Sequence, residues 1–304
     1  MMVKQSMKTE IEEKFSQLPE NSYTKVIIAG DNTELKTLEK KPNTLGLQRI
    51  RRLSGNRYCD YETGEIKEYK NNSKRATNPH FRETLQKIKR YINANFCNDG
   101  QFATIGYDSA MKDIKIAKKD FGVFLKALRK TKKAIEYLWV IEPKETGSWH
   151  FHILFKGDMI TAGELQALWV HGNTNIKAIY DVHSLASYLA PNSKIKEDID
   201  NVAAEDENEN ELENPAEETE YKNNGISILS KSKQKTERFC YYPAGERIYG
   251  KSKGIKKWQE IETTRGEAIV YTEGKKKIGE FSLAVVEPET EKKVNQINFE
   301  YYKG

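Results

Sequence analysis

Cysteine is scarce. Cys59, Cys97 and Cys240 are scattered, and no two form a Cys-x-x-Cys pair. That argues against a zinc ribbon and against a disulfide framework. Long apolar runs are missing too: none approaches the roughly 20 residues needed to cross a bilayer. The opening segment, Met1 to Leu18, alternates charges where a signal peptide would carry an apolar stretch. A cytoplasmic protein with no membrane association is expected. No internal repeat is visible.

What is present is charge, and it is segregated. The 304 residues carry a net charge of +5. Residues 197–220 hold twelve acids and no Lys or Arg, so the rest of the chain stands at +17. Such a body fits a polyanionic partner, of which nucleic acid is the commonest; the alternative is a lysine-rich surface with no DNA role. Apolar residues at 37% and aromatics at 10% suffice for a folded core.

Three regions are expected. Residues 1–95 are polar and lysine-rich, with candidate helices at Thr9–Leu18 and His80–Asn93 and a hairpin in Tyr58–Tyr69 around Thr63-Gly64. Residues 96–258 form a regular domain, interrupted at 197–222 by an acidic stretch too poor in apolar residues to order. Residues 259–304 make a small β-rich tail. In the middle region Phe102–Tyr107 reads as a strand, Ala117–Lys130 as a helix, Ala134–Glu142 and Trp149–Phe155 as a hairpin, Ala162–Val170 as a helix and Asn175–Tyr180 as a strand. A last helix follows, capped by Asp181 and ended by Pro191. A hairpin among helices predicts an α+β fold with a central, mainly antiparallel sheet and flanking helices.

The sharpest chemical signal is Gly147-Ser-Trp-His-Phe-His-Ile-Leu-Phe155. Side chains of a strand alternate between faces. Trp149, Phe151, Ile153 and Phe155 therefore share an apolar face, and His150 and His152 share the other. Two imidazoles spaced in this way can grip one metal ion. On the preceding strand Leu138, Val140 and Glu142 point together, and closing the hairpin puts Glu142 opposite His150; register is open, and Glu145 is the fallback ligand. Two nitrogens and a carboxylate leave open positions on the ion, as catalysis requires, and suit Mn²⁺, Mg²⁺ or Zn²⁺. The bland alternative is one surface histidine and one merely hydrogen-bonded. In Asp181–Pro191 the buried stripe is Val182, Leu185, Ala186 and Leu189, with Tyr188 on its flank, where it can reach over a neighbouring site. Taken alone, Tyr188 reads as a structural tyrosine. With a metal site beside it, it reads as a nucleophile for a phosphodiester.

These segments resemble the HUH endonucleases, and within them the rolling-circle replication initiators of Gram-positive plasmids, phages and integrative elements. Phe102-Ala-Thr-Ile-Gly-Tyr107 is similar to the family's first motif. Glu142, His150 and His152 are similar to the second, with its metal ligands, and Ser187-Tyr188-Leu-Ala to the third, with its nucleophilic tyrosine. The basic segment Arg238–Lys257 also looks familial, as does Arg51–Tyr69. One departure is Pro191, where many relatives carry a lysine; Lys194 or Lys196 would substitute. The resemblance implies a metal-dependent (Mn²⁺ or Mg²⁺) DNA endonuclease and strand transferase. It would nick and rejoin one strand of origin DNA through a covalent 5′-phosphotyrosine at Tyr188. A catalytically impaired origin-binding protein and a relaxase- or transposase-type enzyme are the alternatives. The expected DNA contacts are Arg51, Arg52, Lys194, Arg238, Tyr242, Arg247, Lys251, Lys253 and Lys256. The implied partners are origin DNA presented as a single strand, a host helicase and other replication proteins; homodimerisation is left open.

A competing motif is Gly245-x-x-x-x-Gly250-Lys251-Ser252, the pattern of a phosphate-binding loop. It lacks a good helix start after Ser252 and enough chain to complete a parallel sheet, so ATP binding is not expected.

Overall fold

The computed structural model describes residues 8–12, 14–41, 50–53, 57–60, 66–68, 79–96, 100–144, 146–190, 241–243, 245–286 and 292–304. The chain divides into two compact units, one made of Met1–Lys74 with Gln259–Gly304 and the other of Arg75–Trp258. Elements are numbered in chain order.

The first unit contains a six-stranded antiparallel sheet. Its strands are β1 (Lys8–Ile11), β2 (Tyr23–Ala29), β3 (Asn32–Leu38), β12 (Gln259–Thr264), β13 (Lys276–Val286) and β14 (Lys293–Lys303), in the order β1-β13-β14-β3-β2-β12. The β2–β3 hairpin turns on Gly30 and Asp31, with Gly30 at φ 61°, a conformation that favours glycine at a two-residue turn. A short helix α5 (Arg265–Ala268) seats Ala268 against Val26 and Leu35. A separate sheet of β4 (Ile50–Arg52), β5 (Arg57–Asp60) and β6 (Ile66–Glu68) includes the hairpin expected in Tyr58–Tyr69. The helix expected at Thr9–Leu18 is not formed. Lys8–Ile11 instead pairs with Val286–Leu283, and the Glu12 amide extends the pairing to the Ser282 carbonyl. Long-range pairing overrides a weak local helical preference here.

The second unit is α+β. Helix α1 (Pro79–Asn95) precedes β7 (Gln101–Ile105), α2 (Ile114–Thr131), β8 (Glu136–Pro143), β9 (Trp149–Lys156), α3 (Ala162–Leu168), β10 (Thr174–Ala178), α4 (Val182–Leu189) and β11 (Tyr249–Lys251). The strands form one antiparallel sheet, β10-β7-β9-β8-β11. Strand β9 is central and buried from Trp149 to Phe155 because helices cover both its faces. On one face Phe151 stacks on Phe121 of α2 at 4.0 Å between ring centroids and 6° between planes. Helix α2 presents Ile114, Ala117, Phe121, Phe124 and Leu128 to the sheet at helical spacing, and the Asp113 carboxylate accepts from the Lys115 and Ile116 amides at its start. The opposite face carries His150 and His152 and meets α4, which packs on α1.

Helix α4 begins on the expected cap: Asp181 accepts hydrogen bonds from the His183 and Ser184 amides at 3.0 and 3.1 Å. The Ser184 hydroxyl and amide hold the Asp181 carboxyl below its ordinary range. A carboxyl lowered on folding stabilises fully above its unfolded pKa of about 4 and loses that contribution as pH falls through the folded value. Replacing Asp181 with alanine is expected to cost about 1 kcal/mol at neutral pH. Below pH 3 the deficit should shrink, which paired chemical melts at the two pH values will measure. An equal deficit at both would mean the cap is not acting as a carboxylate.

Candidate active site

Hairpin β8–β9 sets the site. Its register pairs Glu142 with His150 and Val140 with His152, and strand alternation puts the acid and both imidazoles on one face. All three are buried, with exposures of 7%, 7% and 3% for Glu142, His150 and His152. The His152 Nε2 lies 3.0 Å from the Glu142 Oε2 and 3.0 Å from the His150 Nε2, and the His150 Nε2 lies 4.0 Å from the same carboxylate oxygen. Among the described residues this is the group of His, Cys, Asp and Glu side chains whose donor atoms converge tightly enough for one ion.

The geometry suits a divalent cation. Donors of this kind bind at about 2.0–2.2 Å, so neighbours at right angles on one ion lie about 3.0 Å apart. The neighbouring strand supports the assignment. Thr104 of β7 pairs with His152, and its Oγ1 is 3.0 Å from the His152 Nδ1. A proton on Nδ1 directed at Thr104 leaves the Nε2 lone pair facing Glu142 and His150, the usual way an outer partner fixes a ligating imidazole. The Phe102 ring stacks on His152 at 5.4 Å and 18°. The signal for both residues is the alternation of β7, which puts Phe102 and Thr104 on the histidine face; sequence reading gave neither a role.

Tyr188 of α4 is half-buried, and its ring lies edge-on to His152 with centroids 5.8 Å apart. Other tyrosines of this unit are engaged differently. Burial, reinforced by the charge of Asp120 and a 3.1 Å hydrogen bond to it, pushes the Tyr107 phenol far up. Burial also raises Tyr137 and Tyr249. A phenol held protonated is a poor nucleophile.

The expected DNA contacts divide. Tyr242, expected to face DNA, is a core residue with 5% exposure: its hydroxyl donates to the Ile141 carbonyl at 3.0 Å and its ring packs on Phe81 and Trp149, leaving no face for a base. The Lys251 ammonium donates to the Ile255 carbonyl at 2.7 Å and lies 5.3 Å from the Tyr91 ring, so its charge is anchored within the fold. Arg247, Lys253 and Lys256 are exposed. Arg51 and Arg52 lie in β4 of the first unit. Lys194 and Arg238, the fallback ligand Glu145, Pro191 and the acidic insert 197–222 fall outside the described residues.

The phosphate-loop lookalike is not one. Tyr249, Gly250 and Lys251 form edge strand β11, and no helix follows Ser252, whose hydroxyl donates to the Tyr137 carbonyl. Gly250 has a packing reason: a Cβ there would lie 2.6 Å from the Trp139 indole.

A buried carboxylate and two imidazoles on an antiparallel sheet, beside a helix-borne tyrosine, make an arrangement suited to metal-assisted phosphodiester chemistry. Residues 100–194 match the family model of the ORF2-type replication-associated proteins. The resemblance to rolling-circle initiators therefore stands for this segment, which holds the whole cluster and Tyr188. No curated protein matches the chain. Among solved structures, the N-terminal nuclease domain of non-structural protein 1 from minute virus of mice aligns at 10% identity. The alignment covers 83% of this chain and 76% of that one, with a TM-score of 0.14, too low to define a shared arrangement. No described helix is long and apolar enough to cross a membrane.

Proposed function

We propose that the second unit is the nicking domain of a rolling-circle replication initiator, cutting and rejoining one strand of origin DNA through Tyr188. The observation that carries this reading is the Tyr188 ring set against His152, a member of the Glu142/His150/His152 cluster. Those three residues would hold Mn²⁺ or Mg²⁺, which when bound supplies Lewis acidity at the scissile phosphate. The Tyr188 oxygen attacks phosphorus, the bond to the 3′-oxygen breaks, the phenol gives up its proton and the leaving oxygen gains one. A 5′-phosphotyrosine and a free 3′-hydroxyl result, and the reverse reaction rejoins a strand. Arg51, Arg52, Lys194, Arg238, Arg247, Lys253 and Lys256 would hold flanking phosphates, giving salt-dependent affinity. With no phosphate loop at Gly245–Ser252, a host helicase would separate the strands in the cytoplasm.

The test is denaturing electrophoresis of the protein mixed with Mn²⁺ and labelled single-stranded oligonucleotides tiled across its own replicon. Label should migrate with the wild-type protein and not with Tyr188→Phe, a loss of roughly a thousandfold or more. A band that persists in Tyr188→Phe assigns the nucleophile elsewhere. Origin binding with no adduct in any divalent metal replaces the enzyme by a binding protein.

A further inference from the structure

Two lysines that the proposed chemistry leaves unused bracket the cluster from opposite ends of the same sheet face. Lys177 of edge strand β10 pairs with Phe102, and its ammonium lies 5.8 Å from the centre of that ring. Phe102 in turn stacks on His152. Lys144 follows Glu142 by two residues and therefore continues the same face. Its position is marked by Gly106, on the far side of Thr104 from Phe102: a Cβ built on Gly106 would lie 3.7 Å from the Lys144 Nζ and 3.8 Å from the His150 Cβ. Both lysines are exposed, and neither pairs with a carboxylate among the described residues. From Phe102 to Gly106 the face runs roughly 13 Å at about 3.3 Å per residue. Glu142, His150 and His152 lie between the two charges, and the absence of a side chain at Gly106 keeps the Lys144 end open.

We infer that this face is a track for single-stranded DNA, with Lys144 and Lys177 holding the phosphates on either side of the one presented to the cluster. The inference rests on the nicking reading for its orientation, but the track itself needs only a polyanionic strand. The central acid would repel that strand without a cation, so cationic groups at both ends supply attraction that does not depend on metal. Lys144 and Lys177 are positioning residues: they set where the strand lies and take no part in bond making.

The experiment is binding of a labelled oligothymidylate to the full chain in EDTA across a salt series, where no nicking occurs. Each of Lys144→Gln and Lys177→Gln should flatten the slope of log affinity against log salt by about 0.7, and the double variant by about twice that. Gly106→Leu, which changes no charge, should weaken binding while leaving the slope unchanged. Thermal melts check that each variant folds. An unchanged slope in a folded double variant overturns the track. The adduct assay separates the two claims. Flattened slopes in a protein that never forms an adduct keep the track and remove the nicking reading; adducts with unchanged slopes do the reverse.

Discussion

Replacing His152 with alanine is expected to abolish both metal binding and nicking, and replacing Thr104 with valine to weaken metal binding without abolishing it. His152 is the hub of the cluster: its Nε2 is 3.0 Å from each of the other two donors, which stand 4.0 Å apart. Without it a two-point site remains, too weak to retain an ion at working concentrations. Metal-derived stabilisation of several kcal/mol corresponds to a rate loss of roughly a thousandfold or more. Thr104 acts one step back. Its Oγ1, 3.0 Å from the His152 Nδ1, fixes which nitrogen carries the proton. Removing such an outer partner costs roughly 10- to 100-fold in metal affinity. Calorimetric titration with Mn²⁺ measures both effects, and the adduct assay over a metal series adds a distinction. Thr104→Val should regain wild-type rates at high Mn²⁺, whereas His152→Ala should not. If Thr104→Val binds Mn²⁺ within twofold of wild type, the hydroxyl does not orient the ring.

The contrast between His152 and Thr104 shows what the sequence made legible. The histidines stood out because a strand with one wholly apolar face and two imidazoles on the other has few uses, and because period-two alternation survives in any register. The partner of His150 followed from the length of the hairpin turn, and Glu142 does pair with it. Helix α2 was legible from its apolar spacing and α4 from its cap. Thr104 was not, since its role depends on β7 lying beside β9, a pairing between residues 48 apart in the chain. The same holds for Gly106 and Lys177, whose significance comes only from their neighbours across strands. In the first unit β14 pairs with both β13 and β3 and joins the two ends of the chain in one sheet. No local pattern encodes that assembly. The hairpin of β2 and β3 was hidden because Lys25, Lys36, Thr24 and Thr37 make its alternation read as a polar stretch. Tyr242 misled in the other direction: an aromatic inside a basic segment suggested exposure, while its hydroxyl reaches the Ile141 carbonyl and its ring the core.

The largest stability effect is expected from Phe151→Ala. Phe151 sits between the two histidines on β9 with its ring on the opposite face, so one backbone segment carries both the site and the core that holds it still. The ring is fully buried, stacked on Phe121 at 4.0 Å and edge-on to Trp139 and Trp169 at 6.1 and 6.3 Å. Truncating a buried phenylalanine costs roughly 3–5 kcal/mol, because the cavity adds to the lost transfer energy. For a unit of this size, that lowers the melting temperature by roughly 6–20 °C, at 2–4 °C for each kcal/mol. The loss should fall on the second unit, so near-ultraviolet circular dichroism from Trp139 and Trp169 should melt early. Phe151→Leu, which keeps most of the volume, should cost less than half as much. Below its melting point the alanine variant should still nick, more slowly, because the cavity loosens the strand that spaces His150 from His152. A melt within 2 °C of wild type would mean that α2 does not hold β9 through this stack, and that the spacing of the two imidazoles is fixed from the Thr104 and Tyr188 side of the sheet instead.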